Sequence, residues 1–315
     1  MQKIITITFN PAIDKNSSVQ ALIPEHKLKC TTPVYEPGGG GINVARAIKK
    51  LGGEAMAVYL AGGCTGNTLE ELLERESVPS ILIKTTDSTR ENLNISELVS
   101  NQQYRFIMPG PFIQENEWHE CLQTIENMQG AEYIVASGSL PAGVPADIYA
   151  RIAFIARKKN ARLIVDTSGE ALKQAVHEGV YLIKPSLKEL GSLVGKEELN
   201  MELVDDVARI IIEKGNCEVV VVSMGPAGAM LVTGDMELQI VPPVVKRKST
   251  VGAGDSMVAG MVLSLFRGKN LIETVQYGVA CGTASTMNPG TELCRREDAD
   301  QLYQLIAKES KKKSG

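Results

Sequence analysis

No apolar run in the chain reaches the roughly 18 residues that a membrane span requires, although 43% of its 315 residues are hydrophobic. With mean hydropathy close to zero, that apolar content belongs in the core of a soluble globular protein. The start, Met1-Gln2-Lys3-Ile4-Ile5, lacks the basic stretch, long apolar segment and small-residue cleavage site of a secretion signal, so a cytoplasmic location is expected. Positive charge is not in excess either. With 33 basic against 37 acidic residues the net charge is −4, which leaves no field to hold a nucleic acid. The basic run Lys311-Lys312-Lys313 reads as a frayed, solvated tail. None of the six cysteines (30, 64, 121, 217, 281, 294) stands at metal-clip or redox-pair spacing, so they are expected to be reduced, mostly buried and outside the chemistry. Repeats, low-complexity segments and Pro/Ser-rich linkers are missing, and residues 1–315 are expected to form one domain. No Gly-x-Gly-x-x-Gly with a properly spaced acidic residue follows the first strand, which argues against a nucleotide-binding dehydrogenase.

What the chain does contain is organised around Lys248-Ser249-Thr250-Val251-Gly252-Ala253-Gly254-Asp255-Ser256, with an apolar helical run directly after it. Gly252, Ala253 and Gly254 can turn several backbone N–H groups toward one point at a helix start, where the helix dipole favours an anion such as a transferring phosphoryl group. Asp255 would repel that anion, so a pure phosphate cradle gains nothing from it, whereas a site that takes a proton from a hydroxyl needs such a base. By itself the motif is better read as a glycine-rich turn with Asp255 as helix N-cap.

The first strand, Lys3 to Phe9, ends at Asn10-Pro11-Ala12-Ile13-Asp14, where Asp14 fits either a turn cap or a substrate contact. Short β-like pieces at 17–20, 27–31 and 34–36, and again at 80–84, 91–99 and 103–107, come without helices between them. They predict a small sheet, built from segments 15–36 and 80–107, set apart from the main core. Lys27, Arg90 and Arg105 fall on it, three cations able to grip a phosphate or to lie solvated. Between these segments, four successive glycines, Gly38 to Gly41, open a helix at 43–51, and they fit either a close approach of backbone to a ligand or a flexible loop. The remaining chain alternates helix and strand: helices at 65–76, 115–128, 145–158, 170–177, 202–214, 255–266, 271–287 and 296–308, strands at 54–60, 132–136, 162–166, 181–183 and 218–223, and a meander at 229–241. This is the pattern of an α/β fold, a doubly wound, mostly parallel sheet flanked by helices.

Gly38-Gly39-Gly40-Gly41-Ile42-Asn43 and Ser249-Thr250-Val251-Gly252-Ala253-Gly254-Asp255 resemble the paired signatures of the ribokinase-like (PfkB) carbohydrate kinases. Lys184-Pro185-Ser186-Leu187-Lys188-Glu189 and Ser223-Met224-Gly225 fall between them in the same order. The stretches 36–47, 103–106, 137–141 and 249–257 are similar, more narrowly, to the branch of the family that phosphorylates fructose 6-phosphate.

The resemblance implies a ribokinase-like fold with the small sheet as a lid. It implies Asp255 as the base and the N–H groups of Gly252, Ala253 and Gly254 as stabilisers of the transferring phosphoryl group. Lys184, Ser186, Ser223, Gly225, Gly228 and Thr283 would take ATP, and Glu189 would help place Mg²⁺ through water. Asp14, Gly39, Asn43 and Ser139 would hold the sugar hydroxyls, and Lys27, Arg90 and Arg105 the phosphate it already carries. Oxygens around Ser249, Val251, Ser285, Asn288 and Gly290 would hold a monovalent cation such as K⁺. Two positions depart from the family: Ser186 stands where many members carry Asn, and Ser249 where many carry Asp, which removes a charge from the cation site. The activity implied is transfer from MgATP to the carbon-1 hydroxyl of fructose 6-phosphate, with fructose 1-phosphate or tagatose 6-phosphate as alternative acceptors. A sensor that had lost catalysis would have no need of Asp255. Apolar side chains on the small-sheet segments (Val34, Ile81, Ile83, Leu93, Ile95, Phe106) call for cover, and the family suggests a homodimer through the lid.

Overall fold

The structure, a computed structural model, describes residues 3–313 apart from 197–198 and 215–216. Its strands are β1 (Ile4–Thr8), β2 (Ala12–Val19), β3 (Val34–Gly38), β4 (Met56–Gly62), β5 (Ser80–Thr85), β6 (Arg90–Glu97), β7 (Gln102–Phe106), β8 (Tyr133–Ser137), β9 (Arg162–Asp166), β10 (Val180–Ile183), β11 (Cys217–Ser223), β12 (Ala229–Val232) and β13 (Glu237–Ile240). The helices are α1 (Gly40–Lys50), α2 (Gly63–Arg75), α3 (Glu115–Asn127), α4 (Ile148–Lys158), α5 (Gly169–Glu178), α6 (Leu187–Leu193), α7 (Val204–Glu213), α8 (Ala253–Phe266), α9 (Leu271–Thr286) and α10 (Arg296–Lys313).

Alternation of side chains along a strand sends successive residues to opposite faces, and β1 shows the result. Ile5, Ile7 and Phe9 pack with α3, α4, α5 and α7 on one face, while Ile4 joins α1, α2, α8, α9 and α10 on the other. The sheet that separates these two cores has nine strands in the order β13-β12-β11-β10-β9-β8-β1-β4-β5. From β5 to β11 every neighbouring pair is parallel, and β12 and β13 close one edge as an antiparallel meander. The chain leaves β1 toward β4 and β5 on one side and returns to β8 on the other. The strand order therefore reverses at β1, and the crevice at its carboxyl end is where such sheets take ligands.

Four further strands form a second sheet in the order β3-β2-β6-β7. Two expectations about it need correction. The segment at 80–84 is not part of it: β5 pairs in parallel with β4, because Ile83 is buried in the core of the large sheet. The piece at 27–31 is no strand, and β2 and β3 are joined there by an exposed, irregular stretch. Asp14 sits inside β2 rather than at a turn, level with Glu36 on β3 and Asn92 on β6. Period-two alternation divides the sheet. One face carries Asp14, Asn16, Glu36, Asn92 and Asn94; the other carries Ile13, Tyr35, Leu93 and Ile95.

Helix boundaries differ in instructive places. Expected from Asn43, α1 begins at Gly40, and α8 begins at Ala253, so both glycine-rich stretches run directly into helix. The unforeseen helix α6 follows Lys184-Pro185, with Ser186 as its N-cap. Backbone of α10 stays helical to Lys313, past the expected end at Lys308. Among the described residues no helix is long and apolar enough to cross a membrane. All six cysteines are free thiols, four of them buried, and only Cys30 and Cys64 are exposed.

Candidate active site

Glycine at 40 and 41 is explained by contact. A Cβ on Gly40 would stand 2.3 Å from Ser137 Oγ, and one on Gly41 2.4 Å from the Ile7 carbonyl oxygen, so the start of α1 lies directly on the carboxyl ends of β8 and β1. Thr8 Oγ1 accepts from Ile42 N at 2.9 Å and locks that approach. Gly39, the N-cap, is left-handed (φ 116°) and accepts from Asn43 N at 2.8 Å. The Asn43 side chain then projects from the first turns of α1 and donates from Nδ2 to Asp255 Oδ2 at 2.9 Å. The two glycine motifs, 212 residues apart, meet through this bond.

Asp255 belongs to the first turn of α8, whose N-cap Gly252 is also left-handed (φ 73°). Ser256 N to Gly252 O (2.8 Å) marks the start of the helical ladder, so the N–H groups of Gly254 and Asp255 come before it and have no helical acceptor. Lys184, which is 6% exposed, faces this turn: any Cβ on Gly254 would lie 3.5 Å from its Nζ. Its ammonium pairs with Asp166 at 3.1 Å, at the end of β9. Burial and the neighbouring Asp166 carboxylate push the Asp255 carboxyl up to about 6, against the opposing pull of Asn43 and Lys184. A carboxylate poised there exchanges protons near neutrality, as a general base must. Burial opposes the charge on Lys184, but the carboxylates of Asp166, Glu189 and Asp255 together hold the ammonium above the usual lysine range.

The polar face of the small sheet covers this point. Asp14 packs on Gly38 and accepts from Asn92 Nδ2 at 2.9 Å. Burial pushes its carboxyl up, with Asn92, Arg105 and Arg90 drawing it back. Ser139, after β8, accepts from Asn10 Nδ2 at 3.0 Å. Arg90 reaches the carbonyls of Asn10 (3.0 Å), Met108 (3.0 Å) and Pro11 (3.3 Å), so it ties the small sheet to the end of β1 as well as facing Asp14. Arg105 is exposed and makes no hydrogen bond or ion pair among the described residues, yet it bears on Asp14. The structure does not bring Lys27 to them: it lies exposed on the β2–β3 connector without a partner among the described residues.

Beside the α8 turn a cleft of about 530 Å³ runs along the meander, a volume that suits a small organic ligand. Ser223, Gly225, Gly228 and Thr283 line it together with Thr250, Ala253 and Gly254. Pro243, Val245, Met257 and Val279 supply apolar walls that the sequence did not single out. Ser186 does not line this cleft. Its hydroxyl caps α6 by accepting from Glu189 N at 3.3 Å, while Glu189 Oε2 accepts from Ser186 N at 2.7 Å. That capping box occupies one oxygen of Glu189, whose charge still reaches Lys184 and Asp166.

Ser249, Val251, Ser285, Asn288 and Gly290 converge behind the turn. Ser249 Oγ donates to Gly290 O at 2.6 Å and accepts from Val251 N at 3.2 Å, Ser285 Oγ donates to Val251 O at 3.4 Å, and Asn288 N donates to Ser285 O at 3.1 Å. These oxygens are neutral and, apart from half-buried Gly290, belong to buried residues, a donor set for a monovalent rather than a divalent cation.

Reading the sequence alone missed Asp166, Asn16, Glu36 and Asn92. Asp166 had one available signal, a carboxylate at the carboxyl end of a parallel strand. Asn16 and Asn92 had a weaker one, polar residues at every second position of Ala12–Val19 and Arg90–Glu97 where a strand in a core would be apolar, and Glu36 had none.

Comparison with known proteins places these features in a family. The family model described as pfkB family carbohydrate kinase matches residues 5–298. ATP-dependent 6-phosphofructokinase isozyme 2 of Escherichia coli (strain K12) is 44% identical over 309 residues, covering 98% of this chain and 100% of that protein. A crystal structure of phosphofructokinase-2 from Escherichia coli in complex with potassium has a TM-score of 0.93 at 45% identity, covering 98% of this chain and 100% of that one. The same enzyme in complex with fructose-6-phosphate gives 0.92 at 43% identity, with the same coverage. The fold is the α/β ribokinase-like one with a mostly parallel central sheet flanked by helices. Two glycine motifs brought together at one carboxylate, and a family match across nearly the whole chain, make it a member of the pfkB family of carbohydrate kinases.

Proposed function

We propose that this chain is an ATP-dependent sugar-phosphate kinase that phosphorylates the carbon-1 hydroxyl of fructose 6-phosphate, giving fructose 1,6-bisphosphate and ADP. The observation that carries the reading is Asp255, kept near neutrality at the start of α8, with the polar and cationic face of the small sheet above it. The named activity of the Escherichia coli relative supports the choice of sugar phosphate.

Asp255 takes the proton of the carbon-1 hydroxyl as that oxygen attacks the γ-phosphorus, and the bond from phosphorus to the β-γ bridging oxygen breaks to release ADP. Charge on the transferring group falls against the N–H groups of Gly252, Ala253 and Gly254 and the ammonium of Lys184. ATP occupies the cleft lined by Ser223, Gly225, Gly228 and Thr283, its base between the apolar walls. Asp14, Asn43, Ser139 and the backbone at Gly39 hold the sugar hydroxyls. Arg105 and Arg90 hold the 6-phosphate. Glu189, with one oxygen outside its capping bond, fits a water-bridged Mg²⁺ that would neutralise the phosphate oxygens. The neutral oxygens from Ser249 to Gly290 fit K⁺, which would stiffen the anion-binding turn. Val34, Tyr35, Phe106 and Ile107 stand exposed on the small sheet, and a homodimer that packs two such lids covers them. Turnover with ATP across fructose 6-phosphate, fructose 1-phosphate, tagatose 6-phosphate, fructose and ribose tests the reading. A preference for any acceptor other than fructose 6-phosphate would overturn it.

A further inference from the structure

Arg46 lies on α1 one turn beyond Asn43, is 2% exposed, and has every guanidinium donor occupied. Nε and Nη2 grip Glu76 of the segment after α2 at 2.8 and 2.6 Å, and Nη2 also reaches Glu36 at 3.5 Å. Nη1 donates to the carbonyl of Pro37, at the head of the glycine stretch, at 2.7 Å and to Asn43 Oδ1 at 3.3 Å. A buried cation of this kind needs full pairing to be tolerated, and its position is therefore fixed. Glu36 continues the network: it accepts from Asn16 at 2.8 Å and from Thr291, next to Gly290 of the cation site.

An asparagine amide can face either way, with its oxygen and its NH₂ exchanged. At Asn43 the two neighbours are of opposite sign, the guanidinium of Arg46 and the carboxylate of Asp255. The reverse orientation would set NH₂ against a cation and oxygen against an anion. We propose that Arg46 is a positioning residue of the phosphoryl-transfer site, which holds the Asn43 amide so that its N–H, and not its oxygen, meets Asp255. This rests on the reading of Asp255 as the base. The charged groups that bear on Asp255 are Asp166 from β9, Lys184 after β10 and Asp14 from β2. Of the two groups that favour its ionised form, Asn43 and Lys184, the first is the one that Arg46 controls.

Arg46→Lys keeps the positive charge but cannot span Glu76, Pro37 and Asn43 together. In the full-length protein, with MgATP and fructose 6-phosphate, the acid midpoint of kcat is expected to move up by about one pH unit, so kcat falls about fivefold at pH 6 and hardly at all at pH 9, with KM for ATP unchanged. On an Asn43→Ala background the same substitution should add no further shift. A midpoint that stays in place while thermal stability falls would make Arg46 a clamp between α1 and α2 and overturn the proposal. Following the Asp255 carboxyl by ¹³C NMR reads the same midpoint without turnover. An acid limb missing from the wild-type kcat profile would refute the base reading, while an NMR midpoint equal in wild type and Arg46→Lys would refute the role of Arg46. Should Arg46→Lys fail to fold, Glu76→Gln loosens the far side of the guanidinium, and it must raise the midpoint by a smaller amount or the proposal fails.

Discussion

The two sheets of this molecule solve different problems. In the nine-stranded sheet both faces are apolar and covered by helices, so its chemistry is confined to the turns at the carboxyl ends of strands: Asn10, Ser139, Asp166, Lys184 and Ser223. The four-stranded sheet is polar on one face only, the one that carries Asp14, Asn16, Glu36, Asn92 and Asn94. It offers a row of side chains, Glu36, Asp14 and Asn92, at one level across three strands. A covered sheet can place a few groups rigidly near one reacting atom, which phosphoryl transfer requires, whereas an open polar face can meet an extended, many-hydroxyl ligand at several points. On the function proposed above, the first sheet would carry the chemistry and the second the choice of acceptor.

The largest effect expected from that division is at the end of the large-sheet core. Asp255→Asn keeps the shape and removes the proton acceptor, so kcat should fall by about 10² to 10⁴ with little change in sugar-phosphate binding. Near-normal turnover would break the assignment. On the small sheet, Arg105→Ala should lower kcat/KM for fructose 6-phosphate by about tenfold to a hundredfold and leave activity on fructose nearly untouched. Arg105 is the cleaner probe than Arg90, which also anchors three carbonyls. Equal losses on both sugars would mean that the small sheet does not read the phosphate.

A pH profile sharpens the comparison further. A base at Asp255 works ionised, and burial pushes that carboxyl up to about 6, so kcat should be full well above that value and fall about tenfold for each unit below it. A limb near the ordinary carboxylate value of 3.8 would show that Asp255 is not desolvated in solution. The same shift carries a stability consequence. The folded value lies above the unfolded one, so the ionised form costs stability, which is lost as pH rises from about 4 to about 6 and stays lost above. At pH 7 Asp255→Asn should therefore be more stable than wild type by up to about 3 kcal/mol in urea titrations, a difference that shrinks to about 0.5 kcal/mol at pH 4 and vanishes below about pH 3. The smallest change should follow Phe106→Glu: sedimentation should show dissociation of the dimer, while the Asp255 midpoint stays where it is. A dimer of unchanged strength would remove the lid from the interface.

Local pattern was enough for much of this. Strand–helix alternation, an apolar sheet core and a turn of small residues opening α8 are all properties of neighbouring residues, and short-range sterics and burial decide them. Asp255 was legible because a carboxylate is out of place in an anion-binding turn. The fate of Ser80–Thr85 was not, since a short apolar alternating run fits either sheet and only pairing with β4 settles which face it buries. Lys27 looked equivalent to Arg90 and Arg105, yet the fold brings only the two arginines to Asp14. Asp166, Asn16 and Arg46 took meaning only from contacts with residues well away along the chain: Lys184, Thr291 and Glu76. The sequence by itself determined most of the strand–helix alternation and the turn of small residues that opens α8, though not the irregular stretch at 27–31 or helix α6. Which charges meet at that turn was decided by tertiary packing alone, because a buried ionisable group is set by its spatial neighbours and its distance from water, neither of which is a property of the residues beside it in the chain.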